Sequence, residues 1–280
     1  MAWEKLGGVA PSDLVDTRLQ LHWAAQLPAS IGFTFATPRP DWSHTSLQWN
    51  RRRRLLLGAP VGSDAVRTGI SLAALELLLI DRDGSTESFP LAGKTLEDGY
   101  HWLSERSARL HSRSAALVRP DHEMPDHPVG SGATFDAPEA ERRELSNWFN
   151  SAAHVLEKVS RDHNNASPVR CWPHHFDIAT LILLDTEGDS ERARSIAAGM
   201  SPGDQSIGEP YFYVTPWPYP NSNLLPDLPV GCWNTTGWVG AALTGTALAA
   251  LAARPAGQFE AALTFFDFAT AASRRLLEPP

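Results

Sequence analysis

The chain has 280 residues, 42% hydrophobic and 20% charged, which is enough apolar material for a substantial core and excludes general disorder. The net charge is −8, with acidic and basic residues mixed along the chain; this argues against nucleic acid as the main partner, a role that needs a basic face. Ten tryptophans exceed what a core requires, because a buried indole needs a partner for its N–H and surface indoles mark binding patches.

The first residues, Met-Ala-Trp-Glu-Lys-Leu-Gly-Gly, lack a basic region followed by an apolar stretch, so no signal peptide is expected. No segment reaches about 18 uninterrupted apolar residues. Gly237 to Ala253 comes nearest but is short and rich in Gly and Thr. A soluble, cytoplasmic protein with no membrane partner is expected. In a reducing compartment Cys171 and Cys232 are expected as two buried thiols rather than a disulfide.

In chain order, Ser12 to Leu27 reads as a helix with Val15, Leu19, His22 and Gln26 in one row, closed by Pro28. "IGFTFA" and "TSLQWNRRRRLLLGAPV" read as extended, with Arg51 to Arg54 as a solvated strand or an anion-binding rim. "ISLAALELLLIDRDGSTESFPL" reads as a hairpin turning at Asp83-Gly84. Thr95 and Asp98 form a capping box for a helix over 96–111, with Leu96, Tyr100, Leu103 and Leu110 on one face.

Residues 118–137, rich in Pro, Asp, His and Gly, read as the connection between an N-terminal lobe, 1–117, and a C-terminal lobe, 138–280. The second lobe begins with a helix from about Ala137 to Arg161. Extended segments are expected at Val169 to Leu184, Arg194 to Gly199, Glu209 to Thr215 and Gly237 to Leu248, before a last helix from Gln258 to Leu277. Each lobe is helix, strands, helix, so internal duplication is one reading and chance alternation the other. Strands grouped between helices predict an α+β fold of mostly antiparallel sheet.

The chemistry-bearing stretch is "SPVRCWPHHFDIATLILLD", Ser167 to Asp185. Read as one strand, it places His175 and Asp177 on a shared face and His174 opposite. Three readings fit the His175–Asp177 pair. It is a general base with its tautomer fixed, a pair of ligands to a divalent metal completed by His22, His44, Asp204 or Glu209, or a buried structural hydrogen bond. No H-E-x-x-H or C-x-x-C spacing favours the metal. In "MSPGDQSIGEPYFYVTPWPYP", Asp204 caps a Pro-Gly turn, Tyr211 and Tyr213 share one face, and Trp217 opens an aromatic, Pro-rich ledge. The G-x-S-x-G, G-x-G-x-x-G and P-loop patterns are missing, which disfavours α/β-hydrolase, dinucleotide and nucleoside-triphosphate chemistry.

"DTRLQLHWAAQLPASIGFTFATPRPDWSHTSLQW", the Asp83-Gly84 hairpin, "SPVRCWPHHFDIA" and "AAGMSPGDQSIGEPYFYVTPWPYP", in this order, resemble a family of bacterial proteins known only as a domain of unknown function. The family pattern has a Leu-His…Gln helix, a Pro-x-x-Asn-His-Trp-Trp segment, a Ser-Pro-Val…Phe-Asp-Leu-Ala strand and a Gly-x-x-Pro-Gly turn. Asp41-Trp42-Ser43-His44 stands here in place of Asn-His-Trp-Trp. The resemblance spans about residues 16–277 and implies an architecture but no reaction.

These residues point to a small-molecule-binding protein, with catalysis left open, whose cleft is lined by His22, Gln26, Trp42, His44, Trp172, His174, His175, Asp177, Asp204, Glu209 and Tyr211. The competing reading is a protein-interaction module that uses the Trp/Pro ledge at Trp217.

Overall fold

In a computed structural model the structure describes residues 3–106, 116–185 and 193–278. It is an α+β fold in which helices accompany antiparallel sheets. The chain divides into two compact units with interleaved segments. Residues 13–146 with 170–176 form the first, and residues 1–12, 147–169 and 177–280 the second.

The first unit opens with α1, Val15–Phe35, which runs straight through Pro28. The expected stop at Pro28 does not occur. A proline inside a helix costs about 3 kcal/mol, but here Ala24, Ala25, Leu27, Ala29 and Ile31 on both sides of it are at most 1% exposed. Their burial holds the helix together, and the Pro28 carbonyl accepts a hydrogen bond from Thr68 Oγ1 at 3.3 Å.

Five strands follow in meander order: β1 Gln48–Asn50, β2 Leu55–Leu57, β3 Arg67–Ser71, β4 Glu76–Ile80 and β5 Thr86–Pro90. Arg51 to Arg54, expected to be extended, instead form the β1–β2 turn. Asn50 organises that turn, its carbonyl accepting from Arg54 N–H and its Oδ1 from Arg53 N–H. The β4–β5 hairpin is as expected. Gly84 takes the left-handed φ of 88° and Asp83 Oδ1 accepts Ser85 N–H. Thr95 and Asp98 make the expected capping box for α2, Leu96–Glu105; the remainder of the expected helix, with Leu110, lies outside the described residues.

Helix α3, Glu139–Asp162, leads from the first unit into the second. The expected strand from Val169 to Leu184 is two strands, β6 Arg170–Trp172 and β7 Asp177–Leu183. Between them Trp172 O accepts the N–H groups of His175 and Phe176, and Phe176 takes a left-handed φ of 55°. His174 and His175 therefore sit in a turn. Strand alternation does not apply to them, so the expected shared strand face of His175 and Asp177 does not exist.

In the second unit β7 pairs with β8, Ser195–Ser201, which pairs with β9, Tyr211–Trp217. Then come β11, Gly240–Thr244, and β10, Cys232–Asn234. The segment Gly237 to Leu248, expected to be extended, becomes a helix after Thr244: the Thr244 hydroxyl caps α4, Gly245–Leu251, by accepting Ala247 N–H at 3.2 Å. Helix α5, Pro255–Leu276, packs on β8, β9 and β11. Phe212 centres this core, with the rings of Trp148 and Phe266 each 5.5 Å away.

Tyr213 lies on the opposite face of β9 from Phe212, as alternation predicts, and its ring crosses Gly199 of β8, where a Cβ would overlap it. Gly199→Ala should destabilise the protein by about 1–3 kcal/mol through overpacking, read as a lowered urea midpoint. Cys171 is buried and Cys232 exposed, both as free thiols, which corrects the expectation that both are buried. A thiol reagent should modify one cysteine of the native protein at once and the second only on unfolding.

Candidate functional site

The segment after α1 builds a cavity of about 440 Å³ within the first unit. Its residues 37–46 are tied by short-range bonds: Asp41 Oδ1 accepts Ser43 N–H, Arg39 O accepts Trp42 N–H, and Trp42 O accepts both the N–H and the hydroxyl of Thr45. His44 Nδ1 accepts Arg39 N–H at 3.1 Å, so the neutral ring carries its proton on Nε2 and is a donor there. The cavity wall combines Thr37, Ser43, His44, Ser46 and Gln48 with Phe35, Ala59, Pro60 and Val61.

Three guanidinium groups reach this wall. Arg67 on β3 donates through Nε to Gly58 O at 2.9 Å and through Nη2 to Gln48 Oε1 at 3.1 Å. Arg170 on β6 donates through Nη1 to Ser46 Oγ at 3.2 Å. Arg39 comes from the loop itself, and no Asp or Glu is among the described residues that line the cavity. Burial pushes the pKa of Arg67 and of Arg170 below the usual value, and Asp41 offsets this only in part at Arg170. A guanidinium does not shed its proton in response. The charge remains, partly stripped of water, with Asp41 as a nearby carboxylate at Arg170.

Of the residues expected to form one cleft, Trp42 and His44 belong to this neighbourhood, their rings stacked 5.6 Å apart. His22, Gln26, Trp172, His174 and His175 gather elsewhere in the first unit, around the Pro173 carbonyl. His22 Nε2 lies 2.8 Å from Pro173 O, and Gln26 Nε2 donates to the same atom at 2.8 Å and to His22 O at 3.0 Å. The His174 ring is 4.2 Å from that of His175 and 5.9 Å from that of His122. His22 stacks on Phe176 at 5.5 Å. Burial, with repulsion from neighbouring imidazoles, lowers the pKa of His22 and of His174 to about 4.

Asp177, Asp204, Glu209 and Tyr211 belong to the second unit. Tyr213 donates to Asp177 and Tyr211 to Asp204, and burial, with these carboxylates, pushes both phenols well above their ordinary range. Glu209 Oε2 accepts Thr246 N–H at 2.7 Å and its hydroxyl at 2.8 Å, serving the first turn of α4. Among the described residues no three His, Cys, Asp or Glu side chains are grouped to hold a metal ion, so the expected metal pair His175 and Asp177 gains no third ligand.

The residues that sequence reasoning missed are Arg39, Arg67 and Arg170. They lie far apart in the chain on a loop, β3 and β6, so no spacing or periodicity marks them as a group. Comparison of the chain with protein-family models, curated proteins and solved structures yields no match.

The depressed imidazoles fix a pH dependence. His22 and His174 have folded pKa values of about 4 against an ordinary 6.5. The unfolded chain therefore binds more protons between these limits. Stability should be complete above about pH 6.5, fall as the pH drops towards 4, and take no further loss from these groups below that. Urea midpoints at a series of pH values should show this slope, and His22→Gln should flatten it.

Proposed function

We propose that this protein binds a small anionic molecule in the cavity framed by Arg39, Arg67 and Arg170. One observation carries the reading: the guanidiniums of Arg67 and Arg170 are partly desolvated at a wall whose described lining holds no carboxylate, with Asp41 near Arg170 offsetting only part of the cost. Removing charge from water without pairing it is unfavourable, and an anion in the cavity relieves that cost. Arg suits this task because its planar fork can engage a carboxylate or phosphate through two parallel bonds. His44 Nε2–H adds a neutral donor. The volume, about 440 Å³, falls in the range of small-ligand sites, roughly 300–1,000 Å³.

The alternative, a protein-interaction ledge, is supported by the exposure of Trp217 and Tyr219, 46% and 47%. Their rings meet edge to face with centroids 5.5 Å apart. No helix among the described residues is long and apolar enough to cross a membrane.

Millimolar inorganic phosphate should raise the melting temperature, with sodium chloride at equal ionic strength as the control. At a hundred times Kd the stabilisation is about 2.7 kcal/mol, a shift of several degrees. Arg67→Met and Arg170→Met should each abolish the phosphate-dependent rise. The ligand-free melting temperature of these variants should stay close to that of the parent, because losing the bonds to Gly58, Gln48 and Ser46 is offset by removing a partly desolvated charge. A ledge-only protein would show no phosphate effect.

A further inference from the structure

We infer that the anion carried by the arginine cavity is one end of a phosphate monoester whose planar ring lies on Trp42. The inference rests on the anion-binding reading and adds the organic half of the ligand. The cavity, about 440 Å³, is far larger than a single oxoanion needs, and beyond the guanidiniums its wall is apolar at Phe35, Pro60 and Val61. An inorganic ion would leave that surface unfilled.

Trp42 supplies the place for the ring. It is 60% exposed although its neighbours Ser43 and His44 are buried, and it holds a left-handed φ of 54°. A bulky residue seldom adopts that backbone, and such outliers concentrate at ligand sites. Its conformation is fixed by the bonds to Arg39 and Thr45, and its indole is stacked on His44, which lines the cavity. The aromatic platform and the Arg39 cation thus belong to one four-residue turn. Three guanidiniums fit a dianion better than a single carboxylate, and a phosphate monoester is close to doubly charged at pH 7. The ligand class is a phosphate monoester of a planar ring, which both nucleoside monophosphates and simple aryl phosphates satisfy.

Isothermal titration of the intact protein with inorganic phosphate, phenyl phosphate, adenosine monophosphate and benzoate tests this. The ring-bearing phosphates should bind about ten-fold or more tightly than inorganic phosphate, the scale expected for one stacked ring. Benzoate should bind more weakly than phenyl phosphate. The order of phenyl phosphate and adenosine monophosphate tells whether a bare ring or a nucleoside fits; either order supports the inference.

Trp42→Gly removes the ring while keeping a residue suited to positive φ. It should bring both ring-bearing phosphates down to the affinity of inorganic phosphate and leave inorganic phosphate unchanged, and Trp42→Phe should restore most of the difference. Equal affinity for phosphate with and without a ring, an advantage that survives Trp42→Gly, or benzoate matching phenyl phosphate would overturn the inference while the anion reading stands. Binding of none of the four would overturn both.

Discussion

Two donors from one turn of α1 meet on a single carbonyl, and the layout of the first unit follows from that convergence. His22 Nε2 and Gln26 Nε2 both reach Pro173 O at 2.8 Å, across more than a hundred residues of chain. Leu47 and Cys171 exchange backbone hydrogen bonds at 2.9 and 2.7 Å, so the short strand β6 is anchored at its midpoint and again just past its end. Arg170, next to Cys171, is thereby delivered to Ser46 and to the cavity wall. Loss of that anchor would remove one of the three cations from a site it does not itself line.

The same unit treats its two kinds of basic group in opposite ways. A buried imidazole can lose its proton, and His22 and His174 respond to burial by staying neutral across the physiological range. They then act as hydrogen-bonding and stacking groups, close enough to one another that charge on one disfavours charge on the next. A guanidinium has no such exit. Arg67 and Arg170 keep their charge when desolvated, and the strain this creates is what a bound anion would relieve. Histidines drew attention in the sequence because they can do chemistry; in the folded chain most of them complete structure, and arginines frame the cavity.

Elements whose signal is local were legible. The Asp83-Gly84 hairpin needs a glycine at positive φ, the Thr95–Asp98 box satisfies helix N–H groups within four residues, and alternation sorts Tyr211 and Tyr213 from Phe212. Each depends on neighbours within a few positions. The failures share the opposite character. Pro28 would end an isolated helix, yet burial of the residues around it carries α1 onward to Phe35. In the run from Pro173 to Phe176 the proline alone warns against an uninterrupted strand, since it can only start one or lie at an edge, and two bonds to Trp172 O turn the chain there.

What the sequence by itself determined is the α+β class, the Asp83-Gly84 hairpin and the Thr95–Asp98 cap of α2. It also named Trp42 and His44 among the expected cleft residues, and these two do stack in one turn beside the cavity. The tertiary structure alone decided that His22 and Gln26 meet at the Pro173 carbonyl, and that Arg39, Arg67 and Arg170 share a cavity. The reason is physical: propensity, capping and turn chemistry act over a few residues, whereas the meeting of a loop, a strand and a distant short strand is settled by core packing and long-range hydrogen bonds, which leave no period in the chain.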